Sequence, residues 1–153
     1  MAADTTPVGV PRATPSGTGR PLAEELTAML DGRLPGLLGM RILAASADEV
    51  VGDLTVREEL LAPNGYLHAA TVVALADTVS GVGARLALPA DASGFTTVEL
   101  KTNYLGTARS GVVTATATRI HSGRRTQLWD ATVRDDQART IALFRCTQMV
   151  LYP

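Results

Sequence analysis

One stretch limits the possible folds more than any other: residues 68 to 86, HAATVVALADTVSGVGARL. Its spacing predicts a helix from about His68 to Leu86, with Ala69, Ala70, Val72, Val73, Leu75, Ala76 and Val79 spread over most of its circumference. A helix that is apolar nearly all round has to be covered nearly all round. A predominantly antiparallel sheet wrapped around it would cover several faces. A second subunit would cover what remains, so a homo-oligomer, dimer or tetramer, is expected.

The flanking segments supply the sheet. In PLAEELTAMLDGRLPG, Leu22, Leu26, Met29 and Leu30 recur at helical spacing, Pro21 suits a first turn, and Pro35-Gly36 is expected to end the element. LLGMRILAASADEVVGDLTV has two extended runs about a polar turn at residues 46 to 49, and REELLAPNGY reads as a loop with a turn at Pro63, Asn64 and Gly65. After the helix, LPADASG breaks the pattern and four strands follow: FTTVELKTNYL, GVVTATATRIHSG, RRTQLWDATVRDD and RTIALFRCTQMVLYP. Strict alternation in the first would put Phe95, Thr97, Glu99, Lys101 and Asn103 on one side, and Thr96, Val98, Leu100, Thr102 and Tyr104 on the other. Two strands, a long helix and four strands make an α+β layout. Residues 1 to 20, rich in Pro, Thr, Gly and Ser, are expected to form a mobile tail before a single domain over 21–153.

Composition narrows the function. With a net charge of −1 there is no basic surplus to neutralise phosphates, which disfavours a nucleic-acid role. Cys146 is the single cysteine and cannot form an internal disulfide, which fits a reducing, cytoplasmic setting. No segment reads as a membrane span or as a secretory signal. Metal-ligand spacings, a Gly-x-Ser-x-Gly elbow, a P-loop and a dinucleotide fingerprint are all missing, so no metal or cofactor is expected. His121 reads as structural, Trp129 as packing, Cys146 as core, and Asp130, Asp135 and Asp136 as turn or surface charges.

Asp77 interrupts the apolar helix. It could face solvent or pair with Arg85, or it could sit partly buried at a cleft with its basicity tuned for nucleophilic or general-base work. The start of the helix bears on the choice. His68-Ala69-Ala70 follows a Gly-bearing loop, and the unpaired N–H groups of a first turn, with the helix dipole behind them, suit an oxyanion. His68 and Asp77 are nine residues apart, hence on opposite faces and about 13 Å apart along the axis. A site that uses both would be shared across a two-fold axis.

HAATVVALAD, residues 68 to 77, resembles the opening His-Gly-Gly and the acid nine residues later of the hotdog-fold acyl-CoA thioesterases. The branch is that of the phenylacetate-degradation and Arthrobacter-type 4-hydroxybenzoyl-CoA enzymes. TVELKTNYL (97 to 105) and RIHSGRRTQLWDATVRDD (119 to 136) are similar to later segments of that family, so the likeness runs over about residues 36 to 150. It implies a long helix wrapped by an antiparallel sheet, active sites at a dimer interface, and hydrolysis of a CoA thioester, aryl- or arylacetyl-CoA being suggested. By the same resemblance Asp77 is nucleophile or general base, the Ala69 N–H polarises the carbonyl, His68 shapes the helix start, and Thr97 holds water or the intermediate. Arg124, Arg125 and Arg109 match positions near CoA, where a guanidinium suits phosphate. Three departures stand out. Gly-Gly is Ala69-Ala70, the upstream amide position is Ala62 with Asn64 nearby, and a Thr of the 4-hydroxybenzoyl branch is Gly81. Asn64 either assists at the carbonyl or makes a turn. The other readings are a hotdog dehydratase or hydratase, whose usual motifs are absent, and a non-catalytic acyl-CoA-binding protein.

Overall fold

The apolar run forms α3, Ala69–Leu86, within one residue of the expected limits. In the computed structural model, which describes residues 19–153, it lies against a six-stranded sheet whose paired strands are all antiparallel. The strands are β1 (Arg41–Ala45), β2 (Glu49–Thr55), β3 (Gly94–Tyr104), β4 (Val112–Ser122), β5 (Thr126–Arg134) and β6 (Thr140–Leu151), in spatial order β1-β2-β4-β5-β6-β3. The expected tail lies outside the described residues apart from Gly19 and Arg20, and Arg20 opens α1 (Arg20–Ala28). That helix buries Leu22, Ala23 and Leu26 and packs on β1.

The core lies between α3 and one face of the sheet. Val50 and Leu54 of β2, Val113, Ala115 and Ala117 of β4, Trp129 and Val133 of β5, and Phe144 and Cys146 of β6 face Leu75, Ala76 and Val79. Close approach rests on small residues. A Cβ on Gly83 of α3 would stand 2.4 Å from the Trp129 ring, and one on Gly52 of β2 would stand 2.7 Å from Val79 Cγ1. The end of α3 has a buried side-chain cap: Gln127 Nε2 donates to the carbonyls of Ala84 (3.3 Å) and Ala87 (3.2 Å), and Trp129 Nε1 donates to Gln127 Oε1 (3.0 Å). Carbonyls left over at a helix end are thus satisfied inside the core.

Several expectations need correction. Pro35-Gly36 does not end the first helix; it lies inside a separate single turn, α2 (Leu34–Leu37). Proline is at home in a first turn, where its missing N–H is not needed, and a Cβ on Gly36 would meet Leu30 O at 2.4 Å. REELLAPNGY is not plain loop, since it holds a 3-10 turn at Glu58–Leu60 and a bridge from Leu61 to Leu67. Asp135 is not a surface charge. Its side chain is 3% exposed and accepts from the N–H groups of Gln137 (3.0 Å) and Arg139 (2.9 Å) and from the Arg139 guanidinium (2.8 Å). By length and composition α3 is apolar enough to cross a membrane, contrary to the reading above. Packing against the sheet accounts for that apolarity.

The correction that matters for the site is in β3. Its register against β6 shifts between Thr97 and Glu99, leaving Val98 as an extra residue. Phe95 and Thr97 stand opposite the buried Val150 and Gln148, and after the bulge Leu100, Thr102 and Tyr104 stand opposite Cys146, Phe144 and Ala142. All five therefore face the helix side, and Glu99, Lys101 and Asn103 face away. A bulge inverts the parity of every residue beyond it.

Candidate active site

His68 is the N-cap of α3. Its Nδ1 accepts from the Ala70 N–H at 3.0 Å, so Nδ1 carries no proton there. The His68 carbonyl takes the N–H groups of Thr71 (2.9 Å) and Val72 (3.4 Å). The Ala69 N–H has no hydrogen-bond acceptor among the described residues, and Ala69 is exposed. The loop beneath it is pinned by Leu67 N–H to Ala108 O (2.8 Å) and His68 N–H to Leu60 O (2.9 Å). The Tyr104 hydroxyl donates to Ala69 O at 2.9 Å and ties the end of β3 to the start of the helix. A fixed, unpaired N–H at the positive end of an 18-residue helix can hold a developing oxyanion.

Asp77 is half-buried on α3. Its Oδ1 is shut off from solvent and has no hydrogen-bond partner among the described residues, and burial raises its pKa above the ordinary 3.8. A carboxylate paired only to solvent would not be perturbed in this way. Cys146 lies close enough for the Asp77 charge to act on it; burial first, with that charge adding, pushes the thiol up to about 11. Ser80, one turn on, is fully buried. Thr97 donates to Gln148 Oε1 at 2.9 Å, and Gln148 Nε2 donates to Cys146 Sγ at 3.3 Å. Leu100 and Tyr104, which face the helix side of the sheet, are still 41% and 47% exposed. The helix-facing side of the edge strand β3 is therefore partly open to solvent.

The chain does not bring all of its candidate residues together. Ala69 and Asp77 share one helix eight residues apart, about 12 Å along its axis. Asn64 Oδ1 accepts from Tyr66 N–H at 3.2 Å, so this side-chain oxygen builds the turn. Arg109 stacks over the Tyr66 ring at 4.3 Å, near the start of α3. Arg124 and Arg125 lie in the β4–β5 hairpin, near Gln127 and the end of α3, with Arg124 5.8 Å from the Tyr152 ring centroid. The cations thus sit at opposite ends of a helix about 27 Å long. Sequence reasoning missed Gln148 and Tyr104. Gln148 had a signal, being a polar residue at an inward position of a strand with Phe144, Cys146 and Val150. Among the described residues no three His, Cys, Asp or Glu side chains cluster as metal ligands would.

Comparison with known proteins identifies the family. Residues 64–142 match the family model described as the thioesterase superfamily, a span that includes His68, Asp77 and all of β3. A 1,4-dihydroxy-2-naphthoyl-CoA hydrolase of Listeria monocytogenes is 34% identical over 72% of this chain and 89% of its own length. The crystal structure of a glutamine-to-alanine mutant of a Pseudomonas aeruginosa thioesterase superposes with a TM-score of 0.82 at 30% identity, covering 93% of this chain and 98% of that one. The Escherichia coli PaaI protein of the phenylacetic acid degradation operon superposes at 0.73 over 81% of this chain and 88% of its own; at 24% identity it speaks for the fold alone.

Proposed function

We infer, from the premise that this chain belongs to the thioesterase superfamily, that it hydrolyses an acyl-CoA thioester to the free acid and coenzyme A. The fold is the hotdog arrangement, and the chain is a thioester hydrolase. One observation carries the assignment of its centre. Among the described residues, the acid nine residues after the helix-capping His68 has a buried oxygen with no hydrogen-bond partner, and the first N–H of that helix has no acceptor.

Asp77 is the nucleophile or general base. As base, it takes a proton from water while the water oxygen bonds to the thioester carbon; the C–S bond breaks and the proton passes to the departing thiolate. As nucleophile, it forms a mixed anhydride that water then opens. In either route the carbonyl oxygen becomes an oxyanion held by the Ala69 N–H. The protein acts as an oligomer, and the donor and the acid meet across its two-fold axis. Tyr104 lies beside Ala69, and the Phe95 ring lies 3.7 Å from where a Cβ on Gly81 would stand, so β3 and α3 run in opposite directions. Antiparallel pairing of two β3 edges would set the helix start of one subunit beside Asp77 of the other. The same pairing would cover Leu100 and Tyr104. Arg109 and the Arg124-Arg125 turn would then converge on one cleft, as the phosphates of CoA require.

An aromatic acyl group is the favoured substrate class, by likeness to the Listeria hydrolase. The test is thiol release from 1,4-dihydroxy-2-naphthoyl-, benzoyl-, 4-hydroxybenzoyl-, phenylacetyl-, hexanoyl- and palmitoyl-CoA, with wild type beside Asp77→Asn. We expect the aromatic thioesters to turn over fastest and the variant to lose at least about 100-fold in kcat with its fold intact. No turnover across the panel, or a fully active Asp77→Asn, overturns the reading.

A further inference from the structure

Gln148 has zero exposure on β6, in register with Thr97 on one side and Gln127 on the other. An amide so placed is costly unless its polar atoms are used. Gln127 is fully explained, since it caps α3 and receives the Trp129 N–H. Gln148 caps nothing. Its Oε1 accepts from Thr97 Oγ1 at 2.9 Å, and its Nε2 donates to Cys146 Sγ at 3.3 Å.

The direction of these bonds has a chemical consequence. An amide oxygen only accepts, so the Thr97 hydroxyl must spend its single proton on Gln148. The lone pairs of Thr97 are then left for the open side of the edge strand. At the other end of the amide Nε2 donates to the Cys146 sulfur, so both of its polar ends are engaged. Cys146 is also the residue on which the Asp77 charge acts. The hydroxyl, the amide and the thiol thus form one hydrogen-bonded line, and Thr97 shares its face of β3 with Phe95, whose ring lies 3.7 Å from where a Cβ on Gly81 would stand, one turn past Asp77.

We propose that Gln148 is a positioning residue: by taking the proton of Thr97 it makes that hydroxyl an acceptor, which with Asp77 holds the attacking water. The proposal rests on the reading of Asp77 given above and favours its general-base form. A water that donates one hydrogen to Asp77 and the other to Thr97 keeps a lone pair for the thioester carbon. A hydroxyl that donated its own proton would take one of the water's two lone pairs and leave its second O–H without an acceptor. The O–H proton goes to Asp77, the new C–O bond forms, the C–S bond breaks, and the thiolate takes the proton.

The test compares Gln148→Met, Thr97→Val, their double variant and Thr97→Ser on whichever CoA thioester of the panel the wild type hydrolyses fastest. Gln148→Met and Thr97→Val should each lower kcat about tenfold or more while KM stays within about twofold, because water rather than substrate is misplaced. The double variant should be no worse than the poorer single one, and Thr97→Ser should keep most of the activity. A Gln148→Met enzyme with wild-type kcat, or losses that multiply in the double variant, overturns the proposal. If Gln148→Met does not fold, Cys146→Ala reads the same line from its other end. It should lower kcat in the wild-type background and change nothing further beside Thr97→Val; a loss that persists there overturns the proposal. A fully active Asp77→Asn overturns the Asp77 reading itself, whereas an inactive Asp77→Asn beside a fully active Gln148→Met overturns only the positioning role.

Discussion

His68 and Ala69 divide the helix start between a side chain and a backbone group. The imidazole takes the N–H of Ala70, and the N–H of Ala69 has no acceptor among the described residues, which on the proposed mechanism leaves it for the thioester carbonyl. The division can be tested by one substitution. Ala69 is the first helical residue, where proline fits, and His68 at φ −61° and ψ 134° already has the extended conformation that a following proline demands. Ala69→Pro should therefore fold normally and lose roughly 100- to 1,000-fold in kcat, as read by thiol release, because only the donor is deleted. Asp77 carries the complementary prediction. Burial raises its folded-state pKa, so ionising it opposes folding, and that penalty is present above the raised value and relieved as pH falls below it. With Asp77 as the proposed base or nucleophile, activity should decline on the acid side from a pH above 3.8, with no such limb in any residual activity of Asp77→Asn. The neutral variant should also melt higher than wild type at pH 7, the usual exchange of stability for function at a strained site.

Among the elements, α3 and β5 meet at a close contact in the core. Gly83 and Trp129 are the two halves of this seat: the indole lies where a Cβ would be, and its N–H is held by Gln127. Gly83→Ala improves helix propensity but drives a methyl group into the ring. The clash should win, with a loss of about 1–3 kcal/mol in urea denaturation. Strand β3 shows how an element can be recognised while its faces are misassigned. Its existence is plain from FTTVELKTNYL, but the bulge at Val98 moves Leu100, Thr102 and Tyr104 to the helix side. Nothing local in the sequence marks the bulge, because its parity is decided by the pairing with β6. Asp135 is a similar case. The sequence shows a turn, but the burial of its carboxylate depends on Arg139 folding back over it.

At the scale of the whole molecule, the distance between Ala69 and Asp77 is the central fact. On the proposed mechanism, about 12 Å of helix separates the donor from the acid that would act with it on one carbonyl. If each site takes its donor from one subunit and its acid from the other, two inactive variants should rescue each other. A hetero-oligomer of Ala69→Pro with Asp77→Asn contains one site with both groups intact and one with neither. Co-expression and tandem-tag purification should return up to half of the wild-type turnover per dimer. No recovery would place the site within a single subunit.

What the sequence determined alone is whatever local chemistry and periodicity encode. An apolar helix requires a wrapping sheet, so the α+β layout, the strand positions and the limits of α3 follow from pattern. The spacing from His68 to Asp77 likewise contains the cap and the acid, and the geometry of a straight helix already forbids them to meet in one chain. Tertiary structure decided what depends on contacts between distant segments. Gln148 becomes a partner of Thr97 only because β6 pairs with β3, 51 residues away in sequence. Asp77 is perturbed only because the sheet removes water from one of its oxygens. Side-chain orientation beyond the bulge, the amide cap on α3 and the polarity of the Thr97 hydroxyl are all products of pairing and burial. Neither leaves a local signature in the residues that it affects.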